Sequence, residues 1–207
     1  MPPCENAVMG SRASATTSAA GQEADPAPPA HVLIVGGSTA DWDGLGRSAW
    51  VERRRSFAER GSQLGVEWLT LRPYAADGSP GLAGRVPPEA DAGPVRFVTE
   101  SVGTCTLIVD PAADGRERFA GAMRALGDGP VNEASVAGVL YEPADVEPDL
   151  VLILGPADRL PPSLVWELAY AELVFAEVVW ADLRPEHLED AVAEYAGRRR
   201  RFGGLDA

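Results

Sequence analysis

The chain has 207 residues, 45% of them hydrophobic, a formal net charge of -13 and two cysteines. That length supports one domain with a sizeable core, and that charge excludes the basic footprint needed to hold nucleic acid. All eighteen basic residues are arginine, which excludes Schiff-base chemistry and a lysine-dependent phosphate loop.

Residues 1–30 are rich in Ala, Ser, Pro and Gly without an apolar run, the composition of a disordered leader. They lack the basic start and apolar centre of a secretory signal. No apolar stretch in the sequence is long enough to span a bilayer, so a cytoplasmic location is expected. Cys4 lies in the leader and Cys105 in a probable strand, a distribution that fits neither a disulfide framework nor a metal site.

From residue 31 onward strands and helices alternate. His31–Val35 is a short apolar run closed by Gly36 and Gly37. A helix over 50–64 places Trp50, Phe57, Gly61 and Leu64 on one face. A strand at 68–71 follows, and then a Gly- and Pro-rich stretch over 77–94 that reads as loop. Two more strands are predicted at 95–99 and 104–109. The helix over 115–126 carries Phe119, Ala122, Met123 and Leu126 at helical spacing, with Gly127 as its stop. Asn132 is placed to cap a short helix running to Leu140. Residues 149–154 form an unbroken apolar strand, as in a sheet covered on both faces.

Residues 161–177 are apolar on nearly every side of a helical wheel. Such a helix must be buried all round, either inside the monomer or, as expected here, partly against another subunit. A final helix shows Leu188, Ala191, Val192 and Tyr195 on one face and ends in the arginine run Arg198–Arg201. The pattern predicts an α/β domain over 31–207, with a central, mostly parallel sheet flanked by helices and no internal repeat.

Three segments near the C-terminus carry a family signature: WELAYAEL at 166–173, VVWADLRPEHLEDA at 178–191 and RRRRFGG at 198–204. Their order and residues resemble the C-terminal part of the cis-prenyltransferases, the undecaprenyl diphosphate synthase family. The resemblance covers 104–204 well and 31–36 and 50–71 weakly. It implies a shortened version of that family's fold, because the Gly/Pro-rich interval stands where active synthases have the helices that wall the product tunnel.

The resemblance also implies which positions should do chemistry. Between His31 and Trp42 the family carries an Asp that helps hold magnesium and the allylic diphosphate; Gly37 stands there, so no catalytic residue is assigned. Asp41 and Asp43 are the nearby acids. In the second phosphate-gripping segment one Arg is replaced by Ile153 and a Ser by Pro161, while Arg159 is kept. Glu172 stands where the family has a second magnesium-related acid. Arg201 and Gly203 match the RxG motif by which one subunit reaches into its neighbour's site and binds isopentenyl diphosphate. Chemically this is sensible, since Arg donates to phosphate oxygens and Gly lets backbone approach closely. The same arginines would also be at home as a solvated face at a helix end.

The loss of the Asp, the retained RxG and PDLVLILGPAD at 148–158 together resemble the Nogo-B receptor type, the non-catalytic subunit of heteromeric cis-prenyltransferases. That type has an N-terminal membrane segment and this sequence shows none, so peripheral membrane contact would come through a partner. The implied function is a non-catalytic subunit that pairs with an active homologue, or with itself as a dimer. It would lend its tail to a magnesium-dependent condensation of isopentenyl diphosphate. The alternative is a remodelled prenyl diphosphate synthase or terpenoid cyclase, with Arg159, Glu172 and Asp41 as surviving ligands. A third reading takes Gly36–Thr39 as a phosphate loop of a ligand-binding module, although neither GxGxxG nor GxxxxGK is present. His31 and His187 have no triad signature.

Overall fold

A computed structural model describes residues 27–74 and 98–198. Residues 1–26 of the predicted leader (1–30), the whole Gly/Pro-rich stretch 77–94 and the RxG residues Arg201 and Gly203 lie outside the described residues. The strands are β1 (His31–Val35), β2 (Trp68–Arg72), β3 (Val98–Val102), β4 (Cys105–Val109), β5 (Leu150–Leu154) and β6 (Glu172–Ala176). The helices are α1 (Thr39–Asp43), α2 (Arg47–Gln63), α3 (Gly115–Leu126), α4 (Glu133–Tyr141) and α5 (Pro185–Gly197).

The six strands form one sheet in the order β3-β4-β2-β1-β5-β6. All neighbours are parallel except the β3–β4 pair, a tight antiparallel hairpin turning at Gly103, whose φ of 60 suits glycine. The α/β architecture expected from the sequence is therefore the one observed.

Strand periodicity sorts the core into two layers. Val32, Ile34, Leu69, Leu71, Leu107, Leu150 and Leu152 point to one face, where Phe57 of α2 and Leu188, Ala191 and Tyr195 of α5 pack on them. Leu33, Val35, Val151 and Ile153 point to the other face and meet Leu164. On that same side Ile108 packs with Ala122 of α3 and with Val136 and Leu140 of α4. The central strands carry apolar side chains on both faces because both are covered, one by α2 and α5, the other by α3, α4 and the loop carrying Leu164.

Most predicted elements appear within a few residues of their expected ends. Asn132 caps α4 by accepting from the Ser135 amide at 3.0 Å. Gly127 ends α3 with a φ of 54.

One expectation is corrected. Residues 161–177 do not form a helix. Pro161 and Ser163–Leu164 lie buried in a loop, residues Glu167–Ala169 make one 3₁₀ turn, and Glu172–Ala176 is the edge strand β6. Short apolar runs do not distinguish helix from strand by periodicity. Here a free sheet edge beside β5 decided the matter, with β6 pairing along its whole length, Leu173 to Val151 and Phe175 to Ile153.

Candidate functional site

In the strand order, β1 has β2 on one side and β5 on the other. The chain runs from β1 toward β2 and β4, then returns to the opposite side of β1 with β5. Between β1 and β5 the order reverses, and in open parallel sheets ligands bind outside the carboxyl ends of strands at such a switch point. A cleft of ≈ 290 Å³ lies there. Gly37 and Ser38 after β1, Tyr74 after β2 and the segment from Leu154 to Arg159 after β5 line it, and Val178 to Trp180 close the far side.

The β1 side of the cleft is tightly built. Gly36 donates its amide to Arg72 O at 3.0 Å and accepts from Trp42 Nε1 at 2.9 Å. Gly37 has a φ of 72. A Cβ placed on it would come within 2.8 Å of Trp180 Cβ and Cγ and within 3.1 Å of Trp42 Cδ1. Trp180 stacks on Trp42 with ring centroids 4.8 Å apart and an interplanar angle of 18°. Arg53 sits over the Trp180 ring at 4.5 Å and donates to Trp180 O at 2.9 Å. Position 37 therefore has neither the room nor the backbone conformation for a side chain.

Asp41 is occupied by its own helix. Its Oδ2 accepts from the Ser38 amide at 2.7 Å and from Ser38 Oγ at 2.8 Å, and Ser38 Oγ accepts from the Asp41 amide. This capping box starts α1, and the two hydrogen bonds from Ser38 hold the Asp41 carboxyl below its usual range. Ser38 and Asp41 thus serve the loop they belong to, which answers the phosphate-loop reading: the Ser38 amide and hydroxyl are directed at a carboxylate of the same chain.

On the β5 side, Arg159 is mostly exposed and lies 3.6 Å from Asp158. Ile153 is fully buried in the apolar layer with Leu33, Val35 and Leu164, so at this position an aliphatic side chain completes the core. Glu172 is remote from the cleft, at the amino end of β6. Its Oε2 accepts from Arg198 Nη1 at 3.1 Å, and the same Arg198 nitrogen donates to Leu173 O at 2.8 Å. Among the described residues no group of three or more His, Cys, Asp or Glu is placed to hold a metal ion. With Gly37 bare, Asp41 engaged by Ser38 and Glu172 engaged by Arg198, these residues do not fit magnesium by themselves.

Sequence reasoning missed a buried ionic cluster beside the cleft. Glu167 Oε1 accepts from Arg72 Nη1 at 2.7 Å and lies 3.2 Å from Arg118 Nη1, while Asp110 Oδ2 is 3.3 Å from both Arg72 Nη2 and Arg118 Nε. All four side chains are buried and their charges sum to zero. Burial alone would raise the Glu167 carboxyl, but Arg72 and Arg118 outweigh it and hold that carboxyl below its usual range. No periodicity marks such a cluster in sequence. The available sign was only Arg72 and Asp110, each an isolated charge directly after a predicted apolar strand.

Comparison with known proteins fits this architecture. The family model described as "Putative undecaprenyl diphosphate synthase" matches residues 97–203, just over half of the chain. The chain belongs to the undecaprenyl diphosphate synthase family of prenyltransferases. It is 43% identical over 77 residues to an isoprenyl transferase of Caulobacter vibrioides, a match covering 37% of this chain and 30% of that protein. It is 27% identical over 231 aligned positions to isoprenyl transferase 2 of Bradyrhizobium diazoefficiens, covering 86% of this chain and 92% of that one. The chain thus spans less than a third of the first relative's length and nearly all of the second's.

Among solved structures it is similar to lavandulyl diphosphate synthase from Lavandula x intermedia in complex with dimethylallyl diphosphate, with a TM-score of 0.60 and 19% identity over 86% of this chain and 99% of that one. A "probable undecaprenyl diphosphate synthase" from Campylobacter jejuni gives a TM-score of 0.54 and 17% identity over 85% of this chain and 99% of that one. At such identities these likenesses speak to the fold. Among the described residues, no helix is long and apolar enough to cross a membrane.

Proposed function

We propose that this family member is a non-catalytic subunit of a heteromeric cis-prenyltransferase, one that pairs with an active homologue. The observation that carries this reading is Gly37. At the carboxyl end of β1, where the resemblance calls for a magnesium-related Asp, the chain has a glycine in a left-handed conformation with Trp180 packed against it. A proton or metal ligand there would need both a different backbone and a different neighbour. Magnesium in the complex is accordingly assigned to the active partner's residues.

What this subunit contributes is charge toward diphosphate. Arg159 offers a guanidinium at the rim of its own cleft, and Arg201 with Gly203 supplies the RxG. Arg198 is tied to Glu172 and Leu173 at the amino end of β6, whereas the cleft opens at the carboxyl end. Arg198, the last described residue, thus stands at the end of the sheet opposite the cleft, and on this reading the RxG beyond it serves a neighbouring subunit rather than its own cleft.

A remodelled enzyme acting alone is the second reading, favoured by the preserved cleft and its apolar wall of Tyr74, Val178 and Val179. Assay with labelled isopentenyl diphosphate separates the two. The isolated protein is expected to show no elongation and the complex with an active homologue to turn over. Arg201→Ala should lower the complex's rate by the worth of a charge-assisted hydrogen bond, about ten- to a hundred-fold, with subunit association intact. Turnover by the pure protein sinks the non-catalytic reading in favour of the second.

A further inference from the structure

The segment from Gly155 to Ala171, between β5 and β6, carries Arg159 at its exposed part and is anchored at three places. At its start Gly155 donates to Ala176 O at 2.8 Å. In its middle Pro162 O accepts from the Gly115 amide at 3.3 Å, and the chain lies so close to α3 that a Cβ on Gly115 would stand 2.9 Å from both Pro162 O and Ser163 O and 2.7 Å from Val165 Cγ2. Near its end Glu167 is buried between Arg72 of β2 and Arg118 of α3, the two guanidiniums that Asp110 after β4 also balances. Two of these anchors come from α3, by unrelated means: a missing side chain and a buried charge.

We propose that Glu167 is a positioning residue: seated on Arg72 and Arg118, and assisted by the close approach at Gly115, it clamps the Gly155–Ala171 segment to α3 and so fixes where Arg159 stands over the cleft. The physical grounds are burial and multiplicity. A carboxylate shared by two guanidiniums away from water has one low-energy arrangement, and displacing it would strand two buried cations. Leu164 in the core and Trp166, which donates Nε1 to Glu147 at 2.9 Å, also hold the middle of the segment. Leu160, Val165 and Tyr170 are exposed, however, and its regular structure is one 3₁₀ turn. Among the described residues the buried charge is its one ionic tie to α3 and β2. This inference rests on the reading of Arg159 as a diphosphate contact.

Two variants test the clamp, because either alone could act through folding. Glu167→Gln keeps the shape and removes the charge. Gly115→Ala leaves every charge in place, suits a helix's first turn, and pushes the segment away from α3. Amide hydrogen exchange of the full-length folded protein is expected to accelerate about tenfold over 155–171 in both variants, while β1 and α5 keep wild-type protection. Titration with inorganic pyrophosphate is expected to give a dissociation constant raised about tenfold at unchanged stoichiometry. A merely structural role would instead lower the number of competent molecules and leave the constant alone. Exchange that is unchanged over 155–171, or faster everywhere alike, overturns the clamp, and so does an unchanged dissociation constant. Absence of pyrophosphate binding in the wild-type protein overturns the diphosphate reading of the cleft, and the exchange data still decide the clamp.

Discussion

Gly37 is the residue on which the proposed function turns. Its φ of 72 costs any other residue about 1–2 kcal/mol, and forcing a methyl against Trp180 adds about 1–3 kcal/mol. Gly37→Ala is therefore expected to destabilise the protein by about 3 kcal/mol, read from the urea midpoint at constant slope. Gly37→Asp should be no better tolerated and should gain no turnover, since the carboxylate would stand where the Trp42–Trp180 stack now is. Synthase activity from that single substitution would show that the loop can reorganise and that the packing of Trp180 does not bar an acid at position 37. Its place opposite the family Asp was legible from the spacing between His31 and Trp42. That Trp180, 143 residues further on, fills the space was not.

At the scale of elements, residues 161–177 teach most. Read as a helix apolar on nearly every side, they would bury part of their surface, Val174 included, against another subunit. As β6, they bury Val174 at 4% exposure beside Leu152, on the face covered by α5. Val174→Asp should accordingly unfold the protein rather than split an assembly, at a cost of about 3 kcal/mol or more for an unpaired buried charge. Denaturant melting checks this, and a folded protein that merely becomes smaller on size-exclusion chromatography would restore the interface view. Surface available to another subunit lies instead on the loop before β6, where Val165, Leu168 and Tyr170 are exposed. The strand ends and helix caps elsewhere were legible because they depend on local chemistry. Asn132 and Gly127 each satisfy backbone groups within a few residues, whereas the short α1 and its capping box of Ser38 with Asp41 were not anticipated.

For the whole molecule the most exposed dependence is on acid. His31 opens β1 and is fully buried, with Nδ1 2.8 Å from Val146 O, Nε2 2.9 Å from Thr70 Oγ1 and Tyr141 edge-on to its ring. Burial, against the opposing pull of the Val146 carbonyl, lowers its pKa to about 4; Arg72 pushes the same way, while Asp149 and Glu167 oppose it. The folded ring stays neutral where an unfolded one, with an ordinary value of 6.5, takes a proton. Its contribution is complete above pH 6.5 and is lost as pH falls from there toward 4, about 3 kcal/mol in all. Glu167, held below its ordinary 4.5, adds a further loss only as pH falls below that value. Stability measured between pH 7 and 4 should therefore fall with a slope that His31→Asn flattens. An unchanged slope in that variant would assign the acid sensitivity elsewhere.

The sequence by itself determined the alternation of strands and helices, the mostly parallel sheet, the caps at Asn132 and Gly127, and the family. Each of these is written in residue type and near-neighbour spacing, which act along the chain. Tertiary structure alone decided that an apolar run becomes the edge strand β6 and that Trp180 closes position 37. It also decided that Arg72, Asp110, Arg118 and Glu167, from four separate elements, meet as one buried cluster. Those outcomes depend on which free edge, cavity or opposite charge lies nearby in space. The strand order sets that, bringing together segments far apart in sequence at the reversal between β1 and β5.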